Sequence, residues 1–283
     1  MKAIVFGGTG FIGLRLVAAL ETNGASVKVA SDKGTPREVR VDVATGEGFE
    51  NMPRDVDTVF NMASLISSKN PKDSRFMEVN ARGAKNVAAY AREAGAWLVH
   101  SSSASVYGKP AELPVREDSE KRPESEYARS KLEGERLCTK ETEDARLTIL
   151  RYSSVYGPGS ARTSVLPIFT QKALEGKELV VQDPARTQDF VFVDDVVEAN
   201  LLFAGKRKMG TFNIGSGKET SMLELAETIV RVTSSKSSIR LDKEAPASGF
   251  RMRLDISSAK RMGFKPRFTL EKGLEKTIEA SLT

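Results

Sequence analysis

Three features of this sequence predict an α/β chain, a doubly wound parallel sheet with a smaller C-terminal α/β lobe. The first is a glycine-rich turn, Gly7, Gly8, Gly10 and Gly13, between an apolar run at Ala3–Phe6 and an amphipathic stretch of helical length at Phe11–Leu20. The second is the alternation of short apolar runs with helical segments through the first half of the chain. The third is size: 283 residues suit one large α/β unit with an appended lobe.

Taken in order, Ala3–Phe6 is short and apolar enough to be a buried parallel strand. In the turn after it, Gly7 permits the tight bend, the middle glycines let backbone N–H groups approach a pyrophosphate, and Gly13 lets the helix pack on the strand. The helix N-terminus then points its positive dipole end at the phosphates. Gly7, Gly10, Phe11, Ile12 and Gly13 are therefore expected at a dinucleotide. Strands follow at Val27–Ser31, Val39–Val43 and Thr58–Met62. A helix is expected over Asp73–Ala94, then a fifth strand over Ala96–Ser101. This is the pattern of a Rossmann-type sheet with helices on both faces. Three prolines between Tyr107 and Glu124 mark a surface loop. Ser125 caps a helix running to about Glu141, and Leu147–Tyr152 is a further strand. Beyond it the alternation decays. Helices are expected at Thr163–Gly176, Met222–Val232 and Leu270–Ala280, with short strands at Leu179–Gln182 and Phe190–Val193. The expected division is residues 1–155 for the dinucleotide unit and 156–283 for a substrate lobe, with part of the late chain returning to the sheet.

Composition narrows the function. A net charge of +5 and a pI near 9.2 suit an anionic ligand. Nucleic acid is not indicated, because Lys and Arg are interspersed with Asp and Glu and form no basic block. The single cysteine, Cys138, rules out an internal disulfide and a cysteine-based zinc site, and no metal is expected. The single histidine, His100, ends an apolar strand and reads as structural. No apolar run reaches membrane-spanning length and no signal peptide is apparent, so a cytoplasmic protein is expected.

The chemistry-bearing pattern is Tyr127-Ala-Arg-Ser-Lys131. Tyrosine and lysine four apart share a helical face, so an ammonium can sit beside a phenol and favour its ionised form. By itself this spacing also describes a surface salt-bridging helix. Here it follows Ser101-Ser-Ser-Ala-Ser-Val-Tyr-Gly108, at the carboxyl edge of the sheet where ligands of such folds bind. Ser103 is the hydroxyl expected to hold a substrate oxygen beside Tyr127.

Gly7–Gly13, Asp42-Val43, Asn61-Met-Ala63, Asn80, the serine run and the Tyr127/Lys131 pair together resemble the extended short-chain dehydrogenase/reductase family. Within it, the chain is most similar to nucleotide-sugar 4-epimerases of the UDP-glucose 4-epimerase type. The likeness extends through Leu150–Gly159, Gln188–Asp195 and Asn213–Gly217. It implies a catalytic set of Ser103, Tyr127 and Lys131, with Lys131 also binding cofactor ribose. Asp42 with Val43 would meet the adenine, and Asn61, Ala63 and Asn80 would line the cofactor cleft. It further implies transient hydride transfer to NAD, a keto-sugar intermediate and a homodimer. Turn and capping roles compete for Asp42, Asn61 and Asn80 individually.

Three departures from the family pattern stand out. The acid that ends the second strand is Ser31, with Asp32 and Lys33 next, so NAD and NADP both stay open, with NAD favoured by Asp32. The usual Phe-Asn pair is Ser153-Ser154, placing Ser154 at the substrate. The arginine expected for the nucleotide phosphates is Gln188, and Arg186, Arg251 or Arg253 would have to replace it. Related dehydratases carry an acid where this chain has Ala104 and Ser105, which argues against dehydration. Two other readings remain: a net NAD(P)-dependent reductase or dehydrogenase of a hydroxylated small molecule, and a non-catalytic dinucleotide sensor.

Overall fold

The sheet is built outward from β1, Lys2–Phe6, whose side chains alternate between its two faces. Ala3 and Val5 enter one apolar core with Leu16, Leu20, Phe60, Val99 and Phe203. Ile4 and Phe6 enter another with Val59, Val87, Ala91 and Leu98. A strand buried on both faces reads as a continuous apolar run, as this one does. The structure, a computed structural model, describes residues 1–32, 38–66, 72–143, 145–161, 164–242, 244, 246 and 248–282.

The remaining strands in chain order are β2 Ser26–Ser31, β3 Glu38–Arg40, β4 Thr58–Asn61, β5 Trp97–Ser103, β6 Leu147–Tyr152, β7 Ser154–Tyr156, β8 Leu179–Val181, β9 Thr187–Gln188, β10 Phe190–Phe192, β11 Gly210–Ile214, β12 Thr220–Ser221 and β13 Ile239–Leu241. The helices are α1 Phe11–Thr22, α2 Arg75–Met77, α3 Gly83–Glu93, α4 Glu126–Thr142, α5 Val165–Leu174, α6 Val193–Lys206, α7 Met222–Val232, α8 Ser257–Arg261 and α9 Leu270–Leu282. Seven strands form one sheet in the order β11-β6-β5-β4-β1-β2-β3, and every neighbouring pair is parallel. The chain runs from β1 to β2 and β3 on one side, then returns to place β4 on the other. The crevice at the carboxyl ends of β1 and β4 is therefore the topological switch point, where such sheets bind ligands.

The expected alternation decays later in sequence than in space. α6 and β11 continue it: β11 pairs with β6, and α6 packs its Val196, Ala199 and Phe203 into the same core as α1. α6 escaped the sequence reading because Val193, Val196, Val197, Ala199, Phe203 and Ala204 are all buried, leaving no clear amphipathic period. The third strand is also shorter than expected. It ends at Arg40, and Asp42 turns the chain by accepting Ala44 N at 2.8 Å. A separate apolar cluster, with Tyr156, Leu166, Phe169, Phe190, Phe192, Leu225 and Leu274, is the core of the smaller lobe. Its strands pair as β10-β7, β13-β8 and β12-β9. Among the described residues no helix is long and apolar enough to cross a membrane, and no group of three or more His, Cys, Asp or Glu is placed to hold a metal ion.

Candidate active site

The glycine turn closes over the switch point. Gly7 takes φ +72°, and a Cβ there would stand 2.6 Å from Ala63 N. A Cβ on Gly13 would strike the Gly7 carbonyl oxygen. Both positions thus require glycine, and Ala63 after β4 packs directly on the turn after β1. Gly10 is the N-cap of α1, with no side-chain cap and no acid in the first turn. The first-turn amides of Phe11, Ile12 and Gly13 are left for an anion. This cradle fits the pyrophosphate of a dinucleotide. Phe11 and Ile12 also pack against the smaller lobe's core, and Arg15 Nη2 donates to Pro158 O at 2.5 Å.

At the far end of β2, Ser31 Oγ donates to Glu38 Oε2 at 2.5 Å, and Asp32 is exposed. Lys33 lies outside the described residues. Glu38 is an acid at this strand end that the sequence reading passed over; its register partner on β2 is Val29. Asp42 spends one carboxylate oxygen on its own turn, on Ala44 N and Thr45 N. Val43 is held by Asn86 Nδ2, which donates to its carbonyl at 2.8 Å.

Asn61 and His100 are register partners on β4 and β5, and Asn61 Nδ2 lies 3.2 Å from His100 Nδ1. Asn61 shares its face with Val59, so its amide is directed to the buried helix side. Burial and the nearby Lys131 hold the His100 pKa well below the usual imidazole range, so the ring is neutral. Asn80 sits in a single π-helical turn, Glu78–Arg82, inserted between α2 and α3. Its Oδ1 accepts Leu65 N at 2.8 Å and Ser64 Oγ at 3.1 Å. Its Nδ2 donates to Leu65 O at 2.9 Å and Ser130 Oγ at 3.0 Å. Asn80 therefore shapes the loop after β4 with its whole amide.

Ser103 ends β5 and caps the short turn Ala104–Tyr107. Its Oγ accepts Ser105 N at 3.2 Å and Ser105 Oγ at 2.9 Å. That leaves its own proton uncommitted to Ser105, and the hydroxyls of Ser103 and Ser64 both favour the ionised form of the Tyr127 phenol. Ser125 Oγ accepts Ala128 N at 3.1 Å and caps α4, setting Tyr127 in its first turn. Phe76 meets the Tyr127 ring edge-on at 6.4 Å.

The electrostatics differ from expectation. Burial pushes the Tyr127 phenol above its ordinary value, and the Ser103 and Ser64 hydroxyls offset this only in part. Lys131 does not act on the phenol here. Its Nζ turns inward and donates to Ser101 O at 2.6 Å, with 2% of the residue exposed. Sharing a helical face brings the two residues to one side of α4, but the rotamer decides which oxygen the ammonium meets. Burial lowers the Lys131 pKa to about 8, opposed by Cys138 and Glu135. Cys138 is buried, donates Sγ to Ala84 O, and its thiol is pushed up to about 12 by burial.

A folded-state pKa of about 8 below the ordinary 10.5 means the fold carries the cost of a buried charge at neutral pH. That cost fades as pH rises from about 8 towards 10.5. Lys131→Met should therefore stabilise the cofactor-free protein at pH 7, by about 1–3 kcal/mol in urea denaturation. The wild-type gain in stability across the alkaline window should be absent from the variant. A variant less stable than wild type at pH 7 would show that the bond to Ser101 outweighs desolvation.

The substrate-side candidates are dispersed. Ser154 Oγ donates to Gln188 Oε1 at 3.0 Å, so the two departures from the family pattern form one polar pair. Arg186 is exposed with its guanidinium 5.2 Å from the Phe250 ring centre. Arg251 makes a two-pronged ion pair with Glu219, at 2.6 and 2.9 Å. Arg253 is half-buried, and its Nε finds no hydrogen-bond partner. The aspartates of the Gln188–Asp195 stretch are structural clamps. Asp189 accepts Ser216 N, Gly217 N and Leu254 N, and Asp195 accepts Arg267 N and Phe268 N.

A glycine cradle at the switch point, with a strand-end serine and a helix-borne tyrosine and lysine on the same sheet edge, defines a dinucleotide-dependent oxidoreductase-type site. Residues 3–215 match the model of the NAD dependent epimerase/dehydratase family. The chain belongs to that family. It is 31% identical over 295 residues to a putative UDP-glucose 4-epimerase of Methanocaldococcus jannaschii, covering 97% of this chain and 96% of that one. It is also 29% identical over 300 residues to UDP-glucuronic acid decarboxylase 1 of Danio rerio, covering 98% of this chain and 72% of the relative. Among solved structures, MoeE5 in complex with UDP-glucose and NAD superposes with a TM-score of 0.85 at 27% identity, covering 100% of this chain and 99% of that one.

Proposed function

We propose that this chain is an NAD-dependent 4-epimerase of a UDP-sugar of the glucose/galactose class. Residues 1–155 and the returning stretch 193–214 would hold the cofactor, and the rest of the smaller lobe would hold the nucleotide sugar. The observation that carries the reading is Tyr127 in the first turn of α4, one helical turn before Lys131, with Ser103 at the carboxyl edge of the sheet favouring its ionised form. Tyr127 takes the proton from a sugar hydroxyl and returns it. Ser103 holds the reacting oxygen through the one proton it has not committed to Ser105. Lys131, whose ammonium gives one N–H to Ser101 O, would give another to the cofactor ribose. NAD supplies hydride acceptor and donor chemistry when bound.

The decarboxylase relatives support a second reading, loss of CO2 from UDP-glucuronate. Among the described residues, however, the phenol's polar partners are the hydroxyls of Ser103 and Ser64, and Lys131 is directed to a backbone carbonyl. A neutral sugar suits that lining better than a carboxylate. The test is incubation of the purified protein with UDP-galactose, with NMR detection of UDP-glucose and no net change in NADH absorbance. CO2 release from UDP-glucuronate without UDP-galactose turnover would reassign the enzyme as a decarboxylase. Net NADH formation would make it a dehydrogenase.

A further inference from the structure

The loop after β4 contributes a residue that no motif singled out. Ser64 is half-buried. Its Oγ donates to Asn80 Oδ1 at 3.1 Å, and its hydroxyl favours the ionised form of the Tyr127 phenol. Asn80 Nδ2 reaches Ser130 Oγ at 3.0 Å, and Ser130 Oγ donates to the backbone carbonyl of Tyr127 at 2.8 Å. Ser64, Asn80, Ser130 and the Tyr127 carbonyl thus form one hydrogen-bonded ring segment that ties Ser64 to the residue whose phenol it acts on.

From this ring we infer that Ser64 is a positioning residue whose hydroxyl rotor follows the protonation state of Tyr127. The inference rests on Tyr127 being the proton-transfer group. A serine hydroxyl has one proton and two lone pairs. While Tyr127 is protonated, Ser64 gives its proton to Asn80 Oδ1 and accepts the phenolic O–H. Once Tyr127 has given up its proton, rotation about the Ser64 Cβ–Oγ bond turns that hydroxyl towards the phenolate. Asn80 Oδ1 then keeps its bond from Leu65 N, at 2.8 Å, so the carbonyl is never left bare. No covalent bond is made or broken in the switch; one hydrogen bond is exchanged for another. Both states of the phenol find a partner, as a group that takes and returns a proton requires. Ser103 cannot provide this alone, because both interactions from Ser105 fix it as an acceptor on that side.

Ser64→Ala removes the donor to the phenolate and leaves Asn80 bonded to Leu65. The alkaline rise of kcat should move up by about one pH unit, as expected for one lost hydrogen bond to a charged group. kcat at neutral pH should then fall about tenfold for a base titrating above neutrality, with KM nearly unchanged. Ser64→Thr keeps the hydroxyl and should restore both the midpoint and kcat. An unmoved midpoint in Ser64→Ala, or failure of Ser64→Thr to restore one that has moved, overturns the inference. Tyr127→Phe is measured alongside. If it retains turnover, the reading of Tyr127 itself has failed; if it is inactive while Ser64→Ala keeps the wild-type pH profile, only the role of Ser64 has.

Discussion

Tyr127→Phe should lower turnover of a confirmed substrate by about 10²–10⁴-fold, the range for losing a positioned acid/base. The substitution removes one oxygen and keeps the ring, so the edge-on contact with Phe76 and the first turn of α4 should survive. Cofactor affinity should be close to wild type, because the glycine cradle, Ala63 and Lys131 are untouched. Because burial places the phenol above its ordinary range in the ligand-free protein, its basic form grows with pH on the alkaline side. Wild-type kcat should rise with pH there, and the Phe variant should show no such limb. Steady-state rates across pH, with NAD binding followed by calorimetry, measure both halves. A Phe variant within tenfold of wild type would return Tyr127 to the helix-surface tyrosines and leave the serines without a partner to serve.

What the sequence made legible was carried by residues whose chemistry is local. Gly7 and Gly13 are required by backbone geometry at a single turn, so their pattern announced the switch point. Tyr127 and Lys131 share a face because a helix repeats, and the Ser125 cap starts that helix where expected. What depends on tertiary partners was not readable. The π-turn that holds Asn80 interrupts a segment whose apolar period looks like ordinary helix, and it is tied to Ser64, Leu65 and Ser130, two of them on a distant loop. The orientation of Lys131 towards Ser101 removed the expected effect on the phenol, and burial pushes the phenol the other way. α6 hid because burial on most sides erases the helical period. The roles of Asp189 and Asp195 were likewise not readable, because the groups that hold them are backbone amides of later segments. Nor could the sequence rank the arginines that would stand in for the one expected at the phosphates: Arg251 is held by Glu219, Arg186 leans on Phe250, Gln188 is turned to Ser154, and Arg253 keeps an unpartnered Nε.

The largest stability effect should come from Arg151→Met. Arg151 on β6 and Glu135 on α4 form a two-pronged pair at 2.9 and 2.7 Å, with side chains 5% and 7% exposed. Ser102 Oγ also donates to Glu135, and Arg151 Nη1 donates to Tyr107 Oη and Glu117 O. This network joins α4 to the loop that begins at Tyr107. Removing the guanidinium leaves a buried carboxylate with one hydroxyl donor, a loss of about 3–5 kcal/mol. Urea denaturation at pH 7 measures it. Replacing both partners by methionine removes the charges together and should recover most of the loss, since the desolvation cost then disappears from both sides. A single variant that loses less than about 1 kcal/mol would mean that water or another cation reaches Glu135, and that α4 is anchored by its apolar face alone.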